Sequence, residues 1–324
     1  MVNVQEVLKQ LTSADLLSEA LQPLGYVPTG SYALNRVISG KYDGGIPIGG
    51  ITEIMGESST GKTIFLTHIF AEAQKLGYYC ALADNEFSYD PGFSEKMGVD
   101  SNGLLYYPGE TVPQCFEWFE KVIKEIRDKD PDTPIVLGLD SMAGQSDAES
   151  EKDSVTDQTN MDGAIRAKEI GSILRRFNPM LRKNKVALVL INQVRNKVGV
   201  LHGDPSTRSG GGKSLEFYCA VSMQVLSNKT SDVLRDSDKQ VIGIQGKLRN
   251  KKNKVSVPFL ECPFSLTFST GIDAYGGLSD FLVHDGILEQ KGAWLSHEPS
   301  GQKFYGKELP KVIQETAELR SLFP

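Results

Sequence analysis

The order of elements in this chain predicts an α/β fold, a central, largely parallel sheet flanked by helices. Three observations predict it. Short apolar runs alternate with helical patterns from about residue 26 to 280, the order that βαβ units produce. Two of the runs, 135–139 and 186–191, are apolar throughout, as strands covered on both faces must be. A glycine-rich turn joins the run at 51–55 to the helical pattern at 62–75, a strand–loop–helix unit typical of such sheets.

In chain order, residues 1–25 open with an amphipathic helical pattern (Val4, Val7, Leu8, Leu11, Leu16, Leu17, Leu21) that ends near Pro23 and Gly25. Glu6, Lys9, Asp15 and Glu19 interrupt it, which argues against a signal peptide. Strands are expected at 51–55, 78–83, 135–139, 186–191, 221–226 and 241–248, and helices at 62–75, 112–128 and 164–183. Two polar stretches, 144–163 and 196–213, break the alternation, the second carrying Gly199, Gly203, Gly210, Gly211 and Gly212. Loops of that length in a compact domain are usually functional or disordered. Residues 281–324 read as a small appendage closed by a helix near 309–322.

Composition narrows the classes. The chain has 324 residues and a net charge of 35 − 41 = −6. An acidic chain has no global basic coat, so contact with a phosphate backbone must come from a local basic strip. No uninterrupted apolar run is long enough for a membrane span,. Cys80, Cys115, Cys219 and Cys262 lie far apart and form no CxxC pair. A disulfide framework and a zinc ribbon both lose their signature, and a cytoplasmic, reducing setting is expected.

The turn after 51–55 reads GESSTGKT: Gly56, Glu57, Ser58, Ser59, Thr60, Gly61, Lys62 and Thr63. It matches G-x-x-x-x-G-K-[ST] at every fixed position and opens a helix, the context this phosphate-binding motif requires. Its backbone N–H groups would wrap β- and γ-phosphates, helped by the helix dipole. Lys62 would neutralise the same oxygens, and the Thr63 hydroxyl would bind Mg²⁺. The strand PIVLGLDS ends in Asp140, a carboxylate suited to the ion's water shell. YYCALADNEF places Asp84 and Glu86 past another strand end. The carboxyl ends of an open parallel sheet converge on one crevice, so either carboxylate could orient a water; the residues alone leave the two unseparated.

These motifs sit in a larger constellation: GESSTGKT, ADNEFSYDPGFSEKMGVD, LGLDS, ALVLINQVRNKVGV, SGGGKSLEFY, KNKVSVPF and TGIDAYGGLSDFLV…GAWLS, in order from about 28 to 296. Together they resemble the RecA family of homologous-recombination ATPases, which has bacterial and phage-encoded members. The resemblance implies a RecA-type core at 26–280, a helical oligomerisation segment at 1–25 and a small C-terminal segment. It implies ATP with Mg²⁺, Glu86 as the water-activating carboxylate and Asp140 beside the metal. It puts Asp90 and Tyr275 at the adenine, Tyr275 by stacking, while Phe93 stands where tyrosine is usual. Gln193, ending VALVLI, matches the glutamine that senses the γ-phosphate and signals into the following loop.

The two polar stretches then correspond to DNA-binding loops near 153–162 and 194–212. Arg195, Lys197, Arg208 and Lys213 lie among Gly211, Gly212 and other glycines, as a strip that tracks a backbone needs. Arg166 adds charge nearby, and Arg175, Arg176, Arg182 and Lys183 offer a further basic helix face. Both loops lack aromatics, so apolar groups such as Met161 or Val198 would intercalate, with little reading of sequence. Lys252 and Lys254, beside a strand-like VSVPF, share one face of an extended chain; the resemblance aims them at a neighbouring subunit's γ-phosphate.

Three features depart from the family pattern: a shorter N-terminal segment, a strongly acidic first loop (ESEKDSVTDQT), and an end at Pro324 without an acidic tail. Tail-based autoinhibition is therefore not expected. The implied activity is a DNA-dependent ATPase that forms a helical homo-oligomeric filament on single-stranded DNA and exchanges strands with a homologous duplex. A ring helicase or motor and an ATP-gated single-strand coat are the other readings of such a core. A helicase normally brings a large N-terminal domain, and a pure coat needs no water-positioning carboxylate.

Overall fold

The computed structural model describes residues 22–143, 158–196, 206–208, 212–227 and 231–323. A short ladder of β1 (Tyr26–Val27) and β2 (Ile46–Pro47) brackets α1 (Tyr32–Ser39). Ser31 caps α1, accepting the Leu34 N–H, and Gly40 ends it at φ 79°, a left-handed conformation that glycine adopts without strain. There follow β3 (Ile51–Gly56), α2 (Lys62–Lys75), β4 (Tyr79–Asp84), α3 (Pro91–Lys96), β5 (Leu104–Tyr107), α4 (Val112–Arg127) and β6 (Ile135–Asp140). Next come α5 (Gln158–Lys183), β7 (Val186–Asn196), β8 (Ser206–Arg208), α6 (Gly212–Tyr218) and β9 (Val221–Leu226). The chain closes with β10 (Val233–Arg235), β11 (Val241–Asn253), β12 (Glu261–Thr267), β13 (Gly271–Ile272), α7 (Leu278–His284), β14 (Glu289–Lys291), β15 (Trp294–His297), β16 (Gln302–Tyr305), α8 (Leu309–Glu315) and α9 (Ala317–Arg320).

The main sheet runs β13-β12-β11-β9-β3-β7-β6-β4-β5. From β9 to β5 every pairing is parallel, and β11 to β13 add an antiparallel wing. Period-two alternation splits the core in two. Along β7, Ala187, Val189 and Ile191 pack on one face with α1 and α2, while Val186, Leu188 and Leu190 pack on the other with α4 and α5. This is why 186–191 reads apolar at every position. The four cysteines are buried thiols not joined in disulfides. Among the described residues no helix is long and apolar enough to cross a membrane.

Four expectations change. The helix expected at 164–183 begins at Gln158, so residues 158–162 of the first expected loop are helical; Gly163 reads as a breaker, but a helix absorbs one glycine for about 1 kcal/mol. The strand expected at 241–248 runs on to Asn253, because pairing with β9 continues through a register shift between Asn250 and Lys252. Charged residues there hide the strand from an apolar count. VSVPF is not a strand: residues 255–259 form turns and bends. The helix expected near 309–322 is two, α8 and α9, broken where Thr316 adopts φ −105° and ψ 112°.

The C-terminal segment also holds a three-stranded sheet, β14-β15-β16, that short polar strands concealed. It docks on the core: Phe323 packs edge-on against Tyr32 and Tyr42, with ring centroids 4.8 and 5.4 Å away. The expected N-terminal helix lies outside the described residues up to 21, and residues 22–25 are not helical.

Candidate nucleotide site and its partners

Register brings the site together. Gly56 at the end of β3 is opposite Gln193 on β7, and Asp84 on β4 is opposite Asp140 on β6. All four residues therefore stand at the carboxyl edge of the parallel strands, where an open sheet binds its ligand.

The loop after β3 is shaped for an anion. Gly61 sits at φ 86° as N-cap of α2 and offers no side-chain acceptor, which leaves the first N–H groups of α2 without a side-chain cap. Ser59 is also left-handed, at φ 62°. Lys62 is only 8% exposed and its Nζ donates to the Glu57 carbonyl at 2.6 Å, while the Thr60 hydroxyl donates to the same oxygen at 2.8 Å. The ammonium thus lies folded over its own loop, within reach of whatever the loop encloses.

Thr63 Oγ1 donates to Asp140 Oδ2 at 2.6 Å, so the two residues expected at the metal are in contact. Burial above all, then the Glu86 and Asp84 charges, push the Asp140 carboxyl up to about 7, against the Thr63 bond and the Lys62 charge. A carboxylate and a hydroxyl side by side are hard oxygen donors, the set magnesium prefers. A divalent cation there would also offset the charge that burial penalises. The residues fit the ion.

The geometry separates Asp84 from Glu86. Asp84 is fully buried and spends both oxygens mainly on its own loop: Oδ1 accepts the Glu86 N–H at 3.0 Å, and Oδ2 accepts Ser88 and Tyr89 N–H at 2.9 and 3.0 Å, with the Tyr106 hydroxyl of β5 adding a longer bond at 3.3 Å. It scaffolds the segment that carries Glu86. Glu86 is exposed at the strand edge, and its Oε1 accepts from Gln193 Nε2 at 2.9 Å and from the Ser141 hydroxyl at 2.5 Å. Asn85 pins Ser141 in turn, exchanging bonds with its N–H and carbonyl at 2.7 and 2.8 Å. Ser141 and Asn85 escaped the sequence reading, although each adjoins a residue that was named.

Asp90 is exposed and caps α3, accepting the Phe93 N–H at 3.0 Å. Tyr275 follows β13 and lies 5.4 Å from the Tyr32 ring, tilted 55°. The Ile272 N–H of β13 donates to His68 Nε2 on α2 at 2.9 Å, so the loop that carries Tyr275 is tied to the helix that opens at Lys62.

Lys252 and Lys254 converge, but on their own chain. Lys252 donates to the Glu216 and Phe217 carbonyls and Lys254 to the Phe217 carbonyl at 3.2 Å, at the C-terminal end of α6, where cations are favoured. Burial first, then the neighbouring Lys254, lowers the Lys252 pKa.

Of the basic strip, Gly212 begins α6 at φ 49° and Lys213 is exposed on its first turn. In backbone terms β7 and β8 form a hairpin that sets Val194 opposite Arg208 and Arg195 opposite Thr207. Lys197, Gly211 and Val198 lie outside the described residues, as do the side chains of Arg166, Arg195, Arg208 and Met161. Part of the alternative basic face is occupied: Arg176 bridges Glu120 at 2.8 Å and Arg182 donates to the Gln22 carbonyl at 3.0 Å.

Comparison with known proteins agrees with this geometry. Residues 6–273 match the RecA N-terminal domain. The chain is 33% identical over 304 residues to Protein RecA of Geobacter sulfurreducens, covering 92% of this chain and 85% of that one. It is 33% identical to Protein RecA of Chlorobaculum tepidum over 306 residues (93% and 82%) and 34% identical to that of Heliobacterium modesticaldum over 286 (88% and 76%). A match over most of the chain, with the strand-edge groups arranged as above, makes this chain a member of the RecA family.

Proposed function

We propose that this RecA-family chain is a DNA-dependent ATPase and recombinase, which assembles as a helical filament on single-stranded DNA, pairs it with a homologous duplex and exchanges strands. The observation that carries the reading is the Gln193–Glu86 bond. It joins a water-activating candidate to the strand that runs straight into the second polar stretch.

ATP phosphates would lie on the loop Gly56–Thr63, wrapped by backbone N–H groups and met by the Lys62 ammonium. Thr63 and Asp140 would hold Mg²⁺, which when bound neutralises charge on the β- and γ-oxygens. Glu86, still anchored by Ser141 once Gln193 lets go, would orient a water and accept its proton, a role worth about 10²–10⁴ in rate,. A γ-phosphate that draws the Gln193 amide away would free Glu86 for the water and move the end of β7. The same movement would reset the hairpin with β8 and the strip of Arg195, Lys197, Arg208, Gly211, Gly212 and Lys213, so DNA and ATP each report on the other. Asp90 and Tyr275 would hold the adenine. Lys252 and Lys254 would reach the neighbouring subunit's γ-phosphate, and the filament would thereby gate hydrolysis.

ATP hydrolysis measured with and without single-stranded DNA, followed by joint-molecule formation with homologous and heterologous duplex, tests the reading. Stimulated hydrolysis and pairing restricted to the homologous duplex are expected. Stimulated hydrolysis with unwinding and no pairing would replace recombinase by motor, and DNA binding without turnover would leave only a coat.

A further inference from the structure

Beneath the site lies a carboxylate that none of these roles uses. Glu53 is on β3, three residues before Gly56, and is fully buried. It shares the sheet face of Ile51, the side packed by α4 and α5. Its Oε1 accepts from Asn192 Nδ2 of β7 at 3.0 Å and its Oε2 accepts from the Ser222 hydroxyl of β9 at 2.6 Å. Asn192 and Ser222 are themselves fully buried. One carboxylate thus bridges three adjacent strands on a face whose core is otherwise mainly apolar side chains. A carboxylate is costly to bury unless its oxygens are well met, so the same space would be filled more simply by an apolar side chain.

The position of Asn192 gives the bridge a use. Neighbouring residues on a strand point to opposite faces, so Asn192 and Gln193 project to either side of β7 at its last sheet-bound turn. Glu53 holds the strand from below by Asn192, and Glu86 takes the Gln193 amide above at 2.9 Å. With Asn192 fixed, β7 cannot roll about its axis without breaking a buried bond, and the Gln193 amide keeps its aim. On the other side, Ser222 is paired in register with both Glu53 and Lys252. The bridge therefore spans from the sensor strand to β9, the strand beside β11 on which Lys252 stands.

We propose that Glu53 is a positioning residue for the Gln193 sensor: by gripping Asn192 it sets the aim of the Gln193 amide, and with it the gain in ATP turnover that DNA produces. The inference rests on the sensor reading of Gln193 given above.

The test uses the full chain and measures kcat and KM for ATP with and without single-stranded DNA, together with thermal unfolding. Glu53→Met removes both acceptors at similar length. Its DNA-stimulated kcat should fall roughly tenfold or more while KM for ATP moves less than about threefold. Glu53→Gln keeps an acceptor for Asn192 and should stay within about threefold of wild type on both. The double variant Glu53→Met with Asn192→Leu buries an apolar pair in place of the bond; it should recover the unfolding temperature but not the DNA-stimulated kcat. That double variant also answers the question if Glu53→Met alone does not fold. Full stimulation in Glu53→Met, an equal loss in Glu53→Gln, or a double variant that regains turnover with stability would each overturn the inference. Gln193→Ala is measured alongside. If it retains full DNA stimulation, the sensor reading fails and this inference with it; if it loses stimulation while Glu53→Met keeps it, only the role of Glu53 fails.

Discussion

Gln193 Nε2 donates to Glu86 Oε1 at 2.9 Å, joining the end of β7 to the segment after β4 across the intervening β6. The bond occupies one of the oxygens that a water would need. In this arrangement Glu86 is restrained, and on the proposed reading a γ-phosphate that drew the Gln193 amide away would free it.

Glu86→Gln should therefore keep ATP and Mg²⁺ binding and lose turnover by about 10²–10⁴, leaving long-lived complexes on DNA. Asp84→Asn should behave differently. Its carboxylate accepts three backbone N–H groups of the same loop, so an amide there disturbs the loop and weakens nucleotide binding as well as turnover. Nucleotide affinity measured beside single-turnover hydrolysis separates the two. Unimpaired hydrolysis in Glu86→Gln, with the binding-competent, dead phenotype in Asp84→Asn, would reverse the assignment.

The legible parts of this molecule share a cause. The fixed residues of GESSTGKT have no freedom, since phosphate wrapping needs the left-handed Gly61 and the lysine and threonine beyond it, and Asp140 and Gln193 end runs whose apolar character is set by two-sided burial. Local spacing therefore reveals the loop and Asp140, while the role expected of Gln193 comes only from the resemblance that INQVR carries. Asp84 and Glu86 could not be separated, because the difference lies in which oxygens the folded loop consumes. Glu53 and Ser141 stayed silent for a similar reason: a glutamate inside ITEIM or a serine after an aspartate carries no pattern until strands β9, β3, β7 and β6 are side by side. The antiparallel end of β11 was missed because pairing with β9, and no apolar run, holds it.

The C-terminal segment hangs partly on one ion pair. Arg36 of α1 donates from Nε and Nη2 to Asp285 at 2.8 and 2.9 Å, and the Tyr42 hydroxyl adds a third bond at 2.8 Å. Burial would raise the Asp285 carboxyl, but the bonds from Arg36, His284 and Tyr42 outweigh it and hold the pKa near 2. A depressed carboxyl contributes stability above its unfolded value near 4 and loses it as pH falls toward about 2. Asp285→Ala should cost about 2 kcal/mol by leaving Arg36 and Tyr42 without their acceptor. Urea unfolding at pH 7 and at pH 3 checks this, and the penalty should shrink at the lower pH.

His68 should make folding sensitive to mild acid. Its Nε2 accepts the Ile272 N–H, which requires the neutral ring, and burial lowers its pKa from 6.5 while the charge of Glu72 opposes and that of Lys75 assists. The sign follows: stability from His68 is complete above pH 6.5 and is lost as pH falls below it toward the depressed folded value. His68→Gln offers an amide oxygen to the same N–H and does not titrate. The difference in unfolding temperature between the wild type and His68→Gln should therefore move in favour of the variant as pH drops from about 7.5 to 5.5. A difference that is constant across that range would mean the ring does not titrate with folding.

Lys252 and Lys254 meet at the carbonyl end of α6, the helix that follows the second polar stretch. Carbonyl oxygens with partial negative charge are a weak substitute for a phosphate, so a neighbour's γ-phosphate can compete for both ammonium groups. Cationic help from a partner on a transferring phosphoryl group is worth about 10³–10⁵ in rate where it has been measured. Lys252→Ala or Lys254→Ala should leave the monomer folded and able to bind nucleotide weakly, because both side chains are surface-accessible and the loop Gly56–Thr63 is untouched. DNA-stimulated hydrolysis should collapse, and its steep dependence on protein concentration with it. Mixing either variant with Glu86→Gln protein should restore part of the activity, since some junctions then pair an intact Glu86 with intact lysines. If mixed filaments form and no activity returns, the lysines serve only α6 of their own subunit, and the contact seen in the structure is their whole role.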